Sequence, residues 1–200
     1  SGPQHTTKNA FIGNTSSILF DGVDDYLILD PNNIGGLANF AGSWSLSCWF
    51  NLEGEPYNSL APLFTSHGAY DTLETEVNTG NVLLFNGRNA AGGAFDLVTP
   101  ILDDVRTGWH HVTFYNDKTN SQIIYDGKMM ISEAHNFTFR NNDVPLFFGK
   151  YSGDRLGGYA DEIEVVQGDF YKPQIKWTHT QTAGAGNKDA YNVHGWRAHG

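Results

Sequence analysis

Apolar and polar residues alternate along most of the chain before Tyr171, and no stretch holds apolar spacing at helical period for three turns. The pattern predicts strands at Ile18–Asp21, Tyr26–Asp30, Ser45–Leu52, Leu63–Ser66, Thr72–Val77, Val82–Asn86 and Phe95–Val98. It continues through Trp109–Tyr115, Gln122–Asp126, Lys128–Ser132, Pro145–Gly149 and Tyr159–Val166. Turn signals separate them, at Asp21-Gly22, Asn86-Gly87, Gly92-Gly93, Asp126-Gly127 and Gly157-Gly158. Asp126-Gly127 is the sharpest, because Asp-Gly between two β runs is what a two-residue type I′ hairpin requires. About a dozen strands cannot lie in one flat sheet without long exposed edges, so the expected fold is all-β, a sandwich of two antiparallel sheets.

Strand parity then assigns faces. Leu46, Cys48, Phe50 and Leu52 point to the core, leaving Ser47, Trp49 and Asn51 outside. Val112 and Phe114 are inward, with Trp109, His111, Thr113 and Tyr115 outward. Neighbouring His110 and His111 therefore face opposite sides and cannot act as an acid–base pair. In Tyr159–Val166 the aliphatic Ile163 and Val165 mark the inward face, which carries Tyr159 and Asp161 inward with them and turns Glu162, Glu164 and Val166 outward. An inward carboxylate at Asp161 calls for a partner or a metal ion.

The texture changes after Tyr171, where Gly, Ala, Asn, His and Thr replace the aliphatics. The expected organisation is an N-terminal arm at 1–15, one sandwich domain at 16–170 and an extended C-terminal arm at 171–200. Trp177, Tyr191 and Trp196 are widely spaced along that arm and read as anchors for pockets on another chain, implying an oligomer or a larger assembly. The 200 residues suffice for one domain with a full core. A net charge of −10 disfavours nucleic acid and anionic membrane surfaces as partners. No apolar run is long enough for membrane insertion, and the absence of an initiator Met suggests a processed or excised segment. Cys48, the single cysteine, has no partner for an intramolecular disulfide and reads as an inert buried thiol.

Several stretches, SSILFDGVDDYLIL, SWSLSCWFNL, TGWHHVTFYND, IIYDGKMM, LFFGKY and GGYADEIEVV, resemble in order and spacing the laminin-G-like domains of the concanavalin A-like jelly-roll superfamily. The resemblance covers about residues 16 to 168 and implies a jelly roll that binds carbohydrate or protein, often with calcium, outside the cell or on a particle surface. It also implies that the first and last strands are neighbours. Asp21 and Asp161, with carbonyl oxygen near Gly22, are then the candidate calcium ligands; the alternative is that Asp21 caps its own turn. Related glucanases carry carboxylates at i, i+2 and i+4 of one strand, whereas here Glu162 and Glu164 are followed by Val166, so no catalytic residues are assigned. Candidate ligand-binding residues are Trp49, Asn51, His111 and Thr113 on the outward face, joined by Arg88, Tyr151 and Arg155 from Gly-rich loops. The functional expectation is a non-catalytic module for carbohydrate recognition or adhesion. The alternatives are a virion decoration or fibre protein that locks subunits through its arms, and a jelly-roll glycosidase.

Overall fold

The computed structural model describes residues 2–7, 16–29, 42–52, 60–66, 73–89, 93–117, 119–134, 145–167, 175–177 and 196–199, with backbone alone for 167, 175–177 and 196–199. Among these residues there is no helix, and hence none long and apolar enough to cross a membrane. Two antiparallel sheets form a jelly-roll sandwich. The first orders β1 (Gln4–Thr6), β2 (Ser17–Asp21), β15 (Gly157–Gln167), β4 (Trp44–Asn51), β9 (Trp109–Asn116), β10 (Asn120–Tyr125) and β11 (Lys128–Ala134), with β16 (Ile175–Trp177) added beside β15. The second orders β17 (Trp196–His199), β3 (Tyr26–Leu29), β12 (Leu146–Phe148), β5 (Ala61–Ser66), β6 (Leu73–Val77), β7 (Leu83–Arg88) and β8 (Ala94–Val98). A short ladder of β13 (Lys150–Tyr151) and β14 (Asp154–Arg155) connects β12 to β15.

Each sheet buries its apolar face against the other. Leu46, Cys48, Phe50, Val112, Phe114 and Ile123 from the first sheet meet Leu27, Phe64, Leu73, Phe85 and Phe148 from the second, all fully buried. Rings cross the interface between the sheets: Phe20 lies 5.6 Å from Phe148, Phe85 lies 5.9 Å from Phe114, and Trp44 lies 5.5 Å from Phe85. Tilted and edge-on arrangements at these distances add to the burial of area. Cys48 is part of this core, and burial drives its thiol pKa up, so it stays protonated and inert.

Turn chemistry follows the sequence at Asp126-Gly127. Both residues have positive φ (48° and 75°), and Tyr125 pairs directly with Lys128 across them. That is the expected type I′ hairpin. Gly158 is required for a different reason: its φ is +119°, and a Cβ there would sit 2.3 Å from the backbone oxygen of Asn51.

The alternation assigned to β4 and β9 holds, but β15 departs from it. Asp161 pairs with Trp49 and Glu164 with Ser47, so three steps along β15 match two along β4. A bulge takes up the extra residue, with Glu162 at φ +45° and Glu162–Ile163 together opposing Cys48. Parity is therefore inverted before the bulge. Ala160 enters the core opposite Phe50, while Tyr159 and Asp161 fall on the outer face. The expectation that Asp161 points inward is corrected by this one inserted residue.

Residues after 170 supply two strands within the chain: Trp177 sits opposite Ile163 and Trp196 opposite Leu29. Tyr191 lies outside the described residues. Because Phe85 touches rings from both sheets, Phe85→Ala is expected to cost about 3–5 kcal/mol, and Gly158→Ala about 2–4 kcal/mol from strain and overlap. Chemical denaturation of both variants checks these values.

Candidate functional site

The outer face of the first sheet gathers most of the expected ligand residues in adjacent rows. Across β15, β4 and β9 the register aligns Tyr159–Asn51–Trp109, then Asp161–Trp49–His111, then Glu164–Ser47–Thr113. Trp109, Trp49, His111, Thr113 and Glu164 are half-exposed, whereas Asn51 and Asp161 are buried. The Trp49 and His111 rings meet edge-on at 5.1 Å. Burial pushes the His111 pKa down, while the carboxylates of Glu164, Asp126 and Glu162 pull the other way. The net shift is downward, so His111 is a neutral imidazole at pH 7, with one nitrogen that donates and one that accepts. Asp161 Oδ1 accepts a 2.8 Å bond from the Glu162 backbone N–H, which holds the strained turn of the bulge.

His110 points to the opposite side, as parity requires. Its Nδ1 lies 2.8 Å from Asp126 Oδ2, and its Nε2 lies 3.0 and 3.1 Å from the carbonyl oxygens of Asp104 and Thr107. It also stacks on Tyr125 at 5.0 Å. This is a structural clamp for the Asp126-Gly127 turn.

The remaining expected ligand residues lie elsewhere. Arg88 ends β7 at an exposed position in the second sheet, and Tyr151 and Arg155 belong to the β13–β14 ladder, which packs on β5 of that sheet. The seven residues thus do not form one site: Trp49, Asn51, His111 and Thr113 come together, and the other three do not join them.

The Asp21 turn forms an acidic group without Asp161. Asp21 Oδ1 accepts from the backbone N–H of Val23 (2.8 Å) and Asp24 (3.3 Å), and Asp25 Oδ2 accepts from Asp21 N–H at 3.0 Å. Carboxylate oxygens of Asp21, Asp24 and Asp25 all lie within 4.8 Å of one another. Asp25 is buried with Oδ1 unpartnered, and its pKa is pushed up to about 6 by burial, opposed by the Asp21 N–H and reinforced by the charges of Asp21 and Asp24. Gly22 has φ +77° and donates its N–H to Leu156 O at 3.1 Å. Asp161 lies down the β2–β15 ladder from this turn, since Gly157 pairs with Asp21 and Ala160 with Ile18. The alternative reading, that Asp21 caps its own turn, describes its hydrogen bonds.

A second carboxylate pair escaped the sequence reading. On the outer face of the second sheet the register aligns Ile28, Phe147, Thr65, Glu74, Asn86 and Asp96 in one row, with Glu76 next along β6. Glu74 and Glu76 are 8% and 3% exposed. Asn86 Nδ2 donates to Glu74 Oε2 at 2.9 Å, whereas Glu76 Oε2 is buried without a partner. Burial raises the Glu76 pKa to about 8, helped by the charge of Glu74, a hydrogen bond shared with it, and the charge of Asp154. The only sequence signal was Leu-Glu-Thr-Glu-Val, which reads as an ordinary half-solvated strand.

A laminin G family model, described as the concanavalin A-like lectin/glucanases superfamily, matches residues 21–176. The chain belongs to that superfamily. No curated protein matches it by sequence. Among solved structures it is similar to domains LG4-5 of the mouse laminin alpha1 chain, with 15% identity, TM-score 0.60, and coverage of 92% of this chain and 45% of that one. The binding domain of Paraclostridial Mosquitocidal Protein 1 shares 15% identity at TM-score 0.56, covering 84% of this chain and 41% of that one. The CBM40 of Ruminococcus gnavus IT-sialidase, solved with alpha2,3 sialyllactose, shares 11% identity at TM-score 0.57, covering 76% of this chain and 88% of that one. The chain therefore spans less than half of the laminin and toxin chains. At these identities the likeness establishes the shared sandwich fold.

Glu76 makes stability pH-dependent. A carboxyl whose folded pKa lies above its unfolded value stabilises the fold below the unfolded pKa, near 4.5, and this is lost as pH rises through about 8. Melting temperatures of wild type and Glu76→Gln from pH 4.5 to 8.5 are expected to diverge, with the variant gaining relative to wild type as pH rises. Parallel curves would contradict the raised pKa.

Proposed function

We propose that this superfamily member is a non-catalytic carbohydrate-recognition module working outside the cell or on a particle surface. The observation that carries this reading is the set of adjacent rows Tyr159–Asn51–Trp109, Asp161–Trp49–His111 and Glu164–Ser47–Thr113 on one outer face. Half-exposed indoles suit the CH faces of a sugar ring, while a neutral imidazole, a threonine and a carboxylate suit its hydroxyls. Similarity to a module solved with a bound sugar and to the binding domain of a mosquitocidal protein supports a binding role. The carboxylate set supports a role without catalysis. Val166 occupies the outer position beyond Glu164, opposite Ser45, where a third carboxylate would complete a glucanase strand.

Glycan-array binding of the whole chain tests the reading. Trp49→Ala is expected to weaken the best glycan at least tenfold while leaving the melting temperature within a few degrees. Equal binding by the variant would contradict the site, and no glycan bound, or a polysaccharide cleaved, would contradict the reading.

A structural calcium ion belongs to the same proposal, with ligands revised to Asp21, Asp24 and Asp25 in place of Asp161. Three carboxylates, one of them buried with an unpartnered oxygen, fit a hard cation that takes oxygen ligands. An ion that binds only the folded chain stabilises it by about 2.7 kcal/mol at a hundredfold excess over Kd. EDTA is therefore expected to lower the melting temperature of wild type and not of Asp25→Asn. No response in wild type would count against the ion.

A further inference from the structure

We propose that the β13–β14 hairpin holds a second site, on the other sheet, whose Lys150 and Arg155 bind the carboxylate or sulfate of an acidic sugar. The two residues are direct cross-strand partners in a short ladder. Like charges placed opposite one another destabilise a strand pair, and here they converge further. Lys150 Nζ stands 4.3 Å from the Tyr26 ring centroid and 4.9 Å from that of Phe147, and Arg155 Cζ stands 5.7 Å from the same Tyr26 ring. Among the described residues no carboxylate forms an ion pair with either cation, although the chain carries 22 acidic residues against 12 Lys and Arg.

The hairpin holds this cationic pair in place. Arg155 Nη1 donates to the carbonyl oxygens of Ser152 (3.0 Å) and Asp154 (2.8 Å), which fixes the guanidinium, and its Nε is buried without an acceptor. The Lys150 carbonyl accepts a hydrogen bond from Thr65 Oγ1, tying the ladder to β5. Burial and the neighbouring Arg155 charge lower the Lys150 pKa, as expected for a cation lacking a counter-ion. An oxyanion between the two would relieve the repulsion and accept charge-assisted hydrogen bonds from both. Tyr26 and Phe147, half-exposed and edge-on at 5.8 Å, add ring surface beside it, which favours an acid carried on a sugar over a bare ion. The site is independent of the Trp49 face and stands or falls separately.

Calorimetric titration of the whole chain at low, constant ionic strength with glucuronate, glucose and inorganic sulfate tests the proposal. Wild type is expected to bind glucuronate at least tenfold more tightly than glucose, and Lys150→Gln/Arg155→Gln to lose that preference. Lys128→Gln, an exposed cation in another hairpin, should keep it. Melting curves provide a second reading: glucuronate raises the wild-type melting temperature and not that of the double variant, whose own melting curve shows that it folds. Tighter binding of glucuronate than of sulfate assigns the site to a sugar acid. Sulfate binding as tightly would overturn the sugar assignment, and an unchanged preference in the double variant would overturn the site itself.

Discussion

Two sheets share one aromatic interior, and that shared burial fixes what faces outward. With Phe85, Phe114, Phe148 and Trp44 locked between the layers, each strand has one permissible parity. A one-residue slip would drive a polar row into the core. The outer rows of β4 and β9 are therefore fixed as strictly as the inner ones. If this face binds a ligand as proposed, its fixed register lowers the entropic cost of recognition.

Bulges interrupt this parity between β5 and β6, between β10 and β11, and in β15, and the one in β15 moves carboxylates. The bulge in β15 lets Ala160 and Ile163 both enter the core while delivering Asp161 and Glu164 to the same outer face. A non-glycine residue at positive φ, Glu162, absorbs the distortion, and the buried Asp161 side chain steadies it through the Glu162 N–H. Without the bulge, Asp161 would face the Phe-rich interior as an unpaired charge. Strain of the order of 1–3 kcal/mol in the backbone is the smaller cost.

Legibility in the sequence tracked the range of the interactions. The alternation of Leu46, Cys48 and Phe50, the facing of Trp49 and His111, and the Asp126-Gly127 hairpin are local or period-two features, and they could be read directly. Asp161 was misplaced because a bulge depends on the partner strand, and Glu162 carries no glycine signal to announce positive φ. Glu74 and Glu76 were missed for a related reason: in sequence they are the solvent side of a strand, while Asp154 reaches Glu76 from far along the chain. The family pattern placed the Asp21 turn in the right fold and offered Asp161 as its companion, whereas Asp24 and Asp25 from the same turn cluster with it.

On the proposed reading, the outer face of β15, β4 and β9 meets the ligand. Amide and side-chain chemical-shift mapping during titration with the best glycan from an array addresses it most directly. The largest shifts should fall on the Trp49 and Trp109 indoles, the His111 imidazole and the backbone around Thr113. Shifts confined to the β13–β14 ladder or the Asp21 turn, with that face silent, would contradict it.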